Sequence, residues 1–194
     1  MKQVFRVMAI FAVCVVIFSG CDDKKIDSNI ISQGSTMSAE AQEKAKSLDK
    51  ESYKDLADLF LDTATIDFSR EVLIIFGKNQ CKYCDMLKDD IKKSPAIQSK
   101  IKEHFNPYYI NTSYDKVHKL RAFRGKDIDI NIANLAQIFG VNTTPQVIFM
   151  DKNGRVKYLF AGYTLQFEKM IDDVVATSAP LGDYATIDKA LNAL

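Results

Sequence analysis

Two cysteines stand three residues apart in the stretch FGKNQCKYCDML, at Cys81 and Cys84. They directly follow the apolar run 72–76 and open a segment of helical character. Cysteines at positions i and i+3 of a first helical turn can reach the separation that a disulfide requires. The pair is therefore predicted to be a redox-active dithiol, half of a metal site or a structural disulfide.

The compartment decides which of these chemistries is possible, and residues 1–20 have the layout of a secretory signal. Lys2 and Arg6 precede an apolar run from Val7 to Phe18, and the small residues at 19 and 20 follow it. That run is too short for an ordinary transmembrane helix. The rest of the chain is therefore predicted to be exported.

The junction Phe-Ser-Gly-Cys, residues 18–21, resembles the lipobox of bacterial lipoproteins, although Phe18 stands where an aliphatic residue is usual. The resemblance implies that Cys21 becomes the lipid-carrying first residue of the mature chain, in the periplasm. By resemblance to enteric lipoproteins, Asp22 favours the inner membrane. A plain cleaved signal and an uncleaved anchor remain alternatives. Residues 21–37 are predicted to form a polar tether, and 38–194 the folded domain.

Export makes the cysteine count informative. Of four cysteines, Cys14 lies in the signal and Cys21 is predicted to carry lipid, which leaves Cys81 and Cys84. Small exported domains stabilised by disulfides carry more than one pair. A domain of about 150 residues can close a hydrophobic core unaided. The pair is therefore not expected to serve stability. The net charge of +1 gives no indication of nucleic acid binding.

A zinc site at this pair is disfavoured, because zinc needs two more ligands at matching spacing. The two histidines, His104 and His118, lie some twenty residues further on and far from each other. Both are expected at the surface, and no metal or other cofactor is predicted.

The rest of the chain alternates predicted helices and strands. Apolar stripes at helical spacing occur at 53–60, 84–91, 132–139, 167–174 and 184–191, and Ser94-Pro95 predicts a further helix start. Strands are predicted at 72–76, 107–111, 146–150 and 156–160, the last with one solvated face. Residues 151–154 have the sequence of a hairpin turn. This order predicts an α/β domain with a mixed sheet.

The apolar strand running into Cys81-Lys-Tyr-Cys84, Thr144-Pro145 before another apolar strand, and the hairpin at 151–154 together resemble the thioredoxin fold, over roughly Asp67–Thr177. A longer middle segment and Gly162-Tyr163 are similar to periplasmic thioredoxins of the SoxW type. The resemblance implies a central mixed β-sheet flanked by helices, with an N-terminal helical extension and a middle insertion. A monomer is expected.

The residues of the pair differ in their expected roles. Unpaired N–H groups at a helix N-terminus favour a thiolate there, so Cys81 is predicted to attack, while the shielded Cys84 resolves the mixed disulfide. Lys82 adds positive charge, and Tyr83 offers a flat apolar surface. By resemblance, Pro145 is cis and faces the pair, and the backbone of Thr144 pairs with the substrate strand.

The sequence departs from the cytosolic thioredoxin pattern at two positions. Ile75 replaces a buried aspartate, and Gln80 replaces a tryptophan. No histidine stands between the cysteines, unlike in strong oxidases of this fold. The stretch 38–64 is too short for the dimerisation domain of disulfide isomerases.

Three hypotheses for the function therefore remain open. The favoured one is a tethered reductase of disulfides in exported proteins, kept reduced by a transmembrane thiol conduit. The second is an oxidase or isomerase that uses the same site, and the third is a binding or chaperone module with a redox-dependent docking switch. The segment 112–130 either shapes the partner surface or is a solvated charged excursion; its residues of interest are His118, Arg121, Phe123 and Arg124.

Overall fold

The computed structural model describes residues 38–194. The predicted signal, Cys21 and the tether lie outside the described residues. The described elements, in chain order, are α1 (Ala39–Glu51), a 3-10 turn (Lys54–Leu56), β1 (Thr65–Asp67), β2 (Glu71–Gly77), α2 (Lys82–Lys93), α3 (Pro95–His104), β3 (Phe105–Asn111), β4 (Val117–Phe123), β5 (Lys126–Asn131), α4 (Ile132–Ile138), β6 (Gln146–Met150), β7 (Val156–Ala161), α5 (Phe167–Val175) and α6 (Ala185–Asn192). Within residues 38–194, no helix combines the length and apolar character needed to cross a bilayer.

A four-stranded mixed sheet in the order β3-β2-β6-β7 forms the centre of the domain. Strands β2 and β3 are parallel, whereas β6 pairs antiparallel with both β2 and β7. The predicted mixed sheet flanked by helices is therefore confirmed. Its strands β2 and β6 are apolar without alternation because helices or other strands cover both of their faces.

The two faces of β2 point into two hydrophobic cores. Leu73 and Ile75 pack with the apolar stripes of α2, α3 and α5 on one face. Ile74 and Phe76 pack on the other face with α4, α6 and the strands of the middle segment. The predicted stripes of these helices are confirmed, and Ser94 caps α3 by accepting a hydrogen bond from the Ile97 N–H at 3.3 Å.

The middle segment, residues 112–130, is not a solvated charged excursion. Strands β4 and β5 form a three-stranded sheet with β1, in the order β1-β4-β5. Leu120 and Phe123 are buried in the second core, whereas Lys119 and Arg121, on either side of Leu120, are exposed. This alternation is the ordinary pattern of a strand with one covered face.

The first predicted helix is wrong in its position. Residues 53–60 contain only the 3-10 turn, while the helix of this region lies earlier, at Ala39–Glu51. Tyr53, Leu56 and Phe60 are buried, but Ala57 is exposed. Their spacing therefore reports which side chains reach the core and does not require a continuous helix.

Two further expectations about exposure are also wrong. His118 is fully buried, and Lys157, predicted on a solvated face of β7, has only 3% of its surface exposed. The ammonium group of Lys157 lies 2.9 and 3.0 Å from the two carboxylate oxygens of Glu71. A long basic side chain is tolerated inside a protein when a carboxylate meets it there.

Candidate redox site

The cysteine pair lies where the central strand β2 gives way to helix α2. Cys81 is the N-cap of α2, and Cys84 lies in its first turn. The two residues form a disulfide with an S–S distance of 2.05 Å and a Cα–Cα distance of 5.2 Å. The structure therefore represents the oxidised form of the protein.

Cys81 is largely buried, with 6% of its area exposed. Its sulfur accepts a hydrogen bond from the Cys84 backbone N–H at 3.2 Å, as an N-cap side chain does. It also lies 3.4 Å from the Thr144 hydroxyl and 3.5 Å from the Thr144 carbonyl oxygen. These surroundings favour negative charge on the sulfur through the helix N-terminus and the N–H donor.

Cys84 is shielded, with 1% of its area exposed. It shares the buried face of α2 with Leu87 and Ile91. Those two residues pack in the same core as Ile75, which stands where cytosolic thioredoxins have an aspartate. The interior on this side of the pair is therefore apolar, so a proton leaving Cys84 has no carboxylate at position 75 to accept it.

The segment Thr144-Pro145 lies against the pair and leads directly into β6. The peptide bond between these residues is cis. Pro145 is buried, and its carbonyl oxygen accepts a hydrogen bond from the Gly162 N–H at 2.8 Å. This bond brings the loop that follows β7 to the same edge of the sheet as the two cysteines.

The residues between the cysteines are both exposed, and Tyr83 has 55% of its area accessible. Its ring stacks on that of Tyr163, with centroids 6.2 Å apart and an interplanar angle of 19°. The Tyr163 hydroxyl donates a hydrogen bond of 2.6 Å to Asp90, and this bond raises the pKa of Tyr163. Leu165, in the same loop, is 83% exposed. The redox site is thus flanked by an apolar, aromatic surface.

Sequence reasoning did not identify the residues that hold the loop before Cys81. Asn79 makes hydrogen bonds to Asn111, Ser113 and Tyr114, at the end of β3 and just beyond it. The one local signal was an asparagine immediately beside the cysteine motif. Its partners lie more than thirty positions away, so spacing alone could not reveal them.

Of the residues predicted for the site, the structure brings Cys81, Cys84, Tyr83, Thr144 and Pro145 together, and it leaves Lys82 exposed beside them. Cys21 lies outside the described residues. His118, Arg121 and Phe123 belong to β4, in the sheet of β1, β4 and β5, and Arg124 follows it in the turn between β4 and β5. Arg124 contacts Gly154 and Asp188, and thereby joins that sheet to the hairpin turn and α6.

Comparison with protein families finds one described as a thioredoxin-like domain, which matches residues 61–174. Among solved structures, the chain is similar to a thioredoxin-fold protein from Helicobacter pylori, with 34% identity and a TM-score of 0.63. That match covers 75% of this chain and 94% of the other. It extends beyond the family match and therefore supports the fold across most of the described domain.

More distant similarity reaches two further proteins. A thioredoxin from Thermus thermophilus is 19% identical, with a TM-score of 0.41 over 55% of this chain and 74% of that one. A disulphide isomerase from Xylella fastidiosa is 18% identical, with a TM-score of 0.33 over 81% of this chain and 95% of that one. No protein of curated function matches the sequence.

Proposed function

Because this chain belongs to the thioredoxin-like domain family, we propose that it is a thiol–disulfide oxidoreductase that reduces disulfides of exported partner proteins. The observation that carries the proposal is the disulfide between Cys81 and Cys84 at the N-terminus of α2. Cys81 caps the helix and is the more exposed residue of the pair, whereas Cys84 is enclosed in the apolar core. That asymmetry is what a two-step exchange requires.

In the first step, the Cys81 thiolate attacks one sulfur of a partner disulfide. A new S–S bond forms, the partner's own S–S bond breaks, and the leaving sulfur keeps the electron pair and takes a proton from solvent. In the second step Cys84, deprotonated by water, attacks the Cys81 sulfur and releases the second partner thiol. The partner gains two electrons and the protein becomes the disulfide.

The partner strand is held, in this proposal, beside the segment Thr144-Pro145. Its backbone pairs with that of Thr144 as an added β-strand, which places the partner sulfur near Cys81. Support comes from the 3.5 Å separation between the Cys81 sulfur and the Thr144 carbonyl oxygen. Tyr83 supplies an apolar contact, and Lys82 supplies positive charge beside the reacting sulfur.

The reductase direction is supported by what surrounds the pair. An oxidant arises when the reduced thiolate is strongly stabilised relative to the disulfide. Here the stabilising groups are the helix N-terminus and the nearby Lys82, with no histidine between the cysteines. The apolar side chain of Ile75 disfavours charge near Cys84. An oxidase or isomerase using the same site, or a binding or chaperone module, are the alternatives.

The cellular setting is part of the proposal. The signal-like segment 1–20 and the lipobox-like junction support a periplasmic protein anchored by lipid on Cys21, with the inner membrane favoured by Asp22. A transmembrane thiol conduit would return the disulfide to the dithiol. We further propose that the protein is a monomeric thioredoxin of the SoxW type that does not bind nucleic acid.

The reduction potential of the Cys81–Cys84 pair tests this function. Equilibration with glutathione or a reference thioredoxin is expected to give a value nearer thioredoxin's, about −270 mV, than a strong oxidase's, about −120 mV. A value above about −150 mV would instead identify an oxidase on this scale. A protein whose partner binding changes with the redox state of Cys81 and Cys84, but which exchanges no disulfide with partners, would be a binding module.

A further inference from the structure

The backbone immediately before the attacking cysteine has an unusual conformation. Gln80 has a φ of +54°, in the left-handed region that side chains other than glycine adopt rarely. Such residues persist where the surrounding structure holds them, and they concentrate at functional sites. The orientation of Cys81 follows directly from the Gln80 backbone. Contacts that hold the backbone at Gln80 would therefore also set the orientation of Cys81.

The neighbouring residue Asn79 is fixed by hydrogen bonds to the residues at and just beyond the end of β3. Its backbone N–H donates to the Ser113 hydroxyl at 2.9 Å. Its side-chain Nδ2 lies 2.9 Å from the Tyr114 hydroxyl oxygen, and that same hydroxyl lies 3.1 Å from Asn79 Oδ1. Asn111 Nδ2 donates to Asn79 Oδ1 at 2.9 Å. Both ends of the Asn79 amide are thus engaged.

The partner segment is itself anchored in the interior. Asn111 is buried, and its side-chain oxygen accepts a hydrogen bond from the Ser113 N–H at 3.0 Å. The Asn111 backbone N–H donates to Asp49 of α1 at 3.4 Å. The other carboxylate oxygen of Asp49 lies 3.0 Å from the ammonium group of Lys116, which is also buried. The segment 111–116 therefore cannot shift without breaking buried polar contacts, which is costly.

A second attachment lies two residues earlier in the loop. The Gly77 carbonyl oxygen accepts hydrogen bonds from the Thr112 N–H at 2.8 Å and from the Thr112 hydroxyl at 3.0 Å. Gly77 also has no room for a side chain, since a Cβ there would lie 1.9 Å from the Tyr109 hydroxyl oxygen. The end of β2 and Asn79 are thus both fixed to the residues at and just beyond the end of β3.

We propose that Asn79 is a positioning residue, which acts through Gln80 to hold Cys81 in the N-cap geometry that activates its sulfur. The inference rests on the proposed function and assigns a role to a residue that does not touch the reacting atoms. It also assigns a role to residues 111–114, at the end of β3 and the start of the middle insertion: they support the residues that precede Cys81.

The physical consequence concerns the reduced protein. When Asn79 loses its amide, Gln80 can relax toward the ordinary φ region, and Cys81 turns away from the Cys84 N–H that its sulfur now accepts from. The thiolate then loses part of its stabilisation, so the pKa of Cys81 rises and the sulfur reacts more slowly at neutral pH.

The experiment measures the rate of alkylation of Cys81 by iodoacetamide as a function of pH, in the reduced, otherwise complete protein. For Asn79→Ala we expect the pKa of Cys81 to rise by about half a unit to one unit, which lowers the rate at pH 6–7 about three- to tenfold. Tyr114→Phe, which removes only one hydroxyl, is expected to give a smaller change in the same direction. Asn153→Ala, in the exposed hairpin turn, is the matched control and should leave the profile unchanged.

A second background separates positioning from a merely structural role. Glycine adopts positive φ readily, so in Gln80→Gly the backbone at residue 80 can keep this conformation without support from Asn79. In that background Asn79→Ala is expected to change the alkylation rate by about twofold or less. Thermal unfolding of each variant reports stability separately.

Three outcomes would overturn the proposal: an unchanged pH profile for Asn79→Ala, a change in melting temperature alone, or an equal fall in rate in both backgrounds. The same samples test the proposed function independently, through exchange of the wild-type protein with glutathione disulfide. Absence of exchange in the wild type would remove the function, whereas normal exchange with an unchanged Asn79→Ala profile would remove only the positioning role.

Discussion

The ring of Tyr83 stacks on the ring of Tyr163, with an interplanar angle of 19°, and this contact joins the cysteine motif to the loop after β7. Tyr163 is itself held by its hydrogen bond to Asp90, which lies about two helical turns after Tyr83 in α2. An exposed aromatic side chain is thereby ordered beside the reactive sulfur. Ordered aromatic rings contribute contact area at low entropic cost, which suits them to binding an extended partner.

The stack predicts an effect on partner binding that spares the chemistry. Tyr163→Ala is expected to raise the KM for a peptide disulfide about two- to tenfold, the range that one aromatic contact contributes, with little change in kcat. Tyr163→Phe keeps the ring and loses only the Asp90 hydrogen bond, so its KM should lie between those of the wild type and Tyr163→Ala. Steady-state reduction of a fluorescent disulfide peptide measures both constants. A fall in kcat at unchanged KM would assign the ring to the chemical step instead.

The unequal exposure of the two cysteines predicts their order of reaction. Cys81 lies at the helix N-terminus and is the less buried of the two, so alkylation of the reduced protein should modify it first. Cys84→Ser should accumulate mixed disulfides with partners, because the resolving sulfur is gone, while Cys81→Ser should accumulate none. Mass spectrometry of peptides after limited labelling identifies the modified residue. Preferential labelling of Cys84 would reverse the assigned roles.

The buried His118 predicts a loss of stability in acid. Its Nδ1 lies 2.6 Å from the Thr63 carbonyl oxygen and must carry the proton, while Nε2 has no hydrogen-bond partner among the described residues. Burial, with a smaller contribution from the nearby Lys116, lowers the pKa of His118 to about 4, although the hydrogen bond to Thr63 and the charges of Asp49 and Asp62 oppose the shift.

The sign of the effect follows from the lowered pKa. The unfolded chain binds a proton below about pH 6.5 that the folded protein accepts only near pH 4, so stability is complete above 6.5 and falls as the pH drops through this window. The full effect corresponds to roughly 3 kcal/mol of unfolding free energy. Urea unfolding between pH 7 and pH 4 measures it. His118→Gln should flatten the dependence, whereas His104→Gln, at a partly exposed position, should not.

The lipobox-like junction predicts how the protein is held at the membrane. Cys21→Ser is expected to abolish labelling by a fatty-acid analogue and to release the protein into the soluble periplasmic fraction. A single acyl chain holds a protein only marginally, whereas several chains hold it firmly, and mature lipoproteins of this kind carry several. Fractionation with and without labelling checks both points. Wild-type protein that is soluble and unlabelled would contradict the anchor.

Local sequence rules were sufficient for several parts of this domain. The apolar run of β2, the Ser94-Pro95 start of α3, the hairpin turn at 151–154 and the cysteine pair at the start of α2 were all predicted where they lie. Each depends on residues close together in the chain: an unbroken apolar stretch, a capping side chain or a turn sequence. The segment 53–60 shows the limit of such rules, because the same spacing of buried residues fits a turn as well as a helix.

Contacts between distant parts of the chain were decided only by the tertiary structure. Strand β1 pairs with β4 across more than fifty residues, and Asn79 meets Asn111 across 32. Reasoning from the sequence placed His118 and Lys157 at the surface, yet both are buried. Whether a polar side chain is buried depends on the free energy of desolvation against that of the partner it meets, and here Thr63 and Glu71 supply those partners from elsewhere in the sequence. The sequence by itself determined the chemistry of the two sulfurs. The fold decided which groups surround and orient them, because those groups are distant in the sequence and come together only when the chain folds.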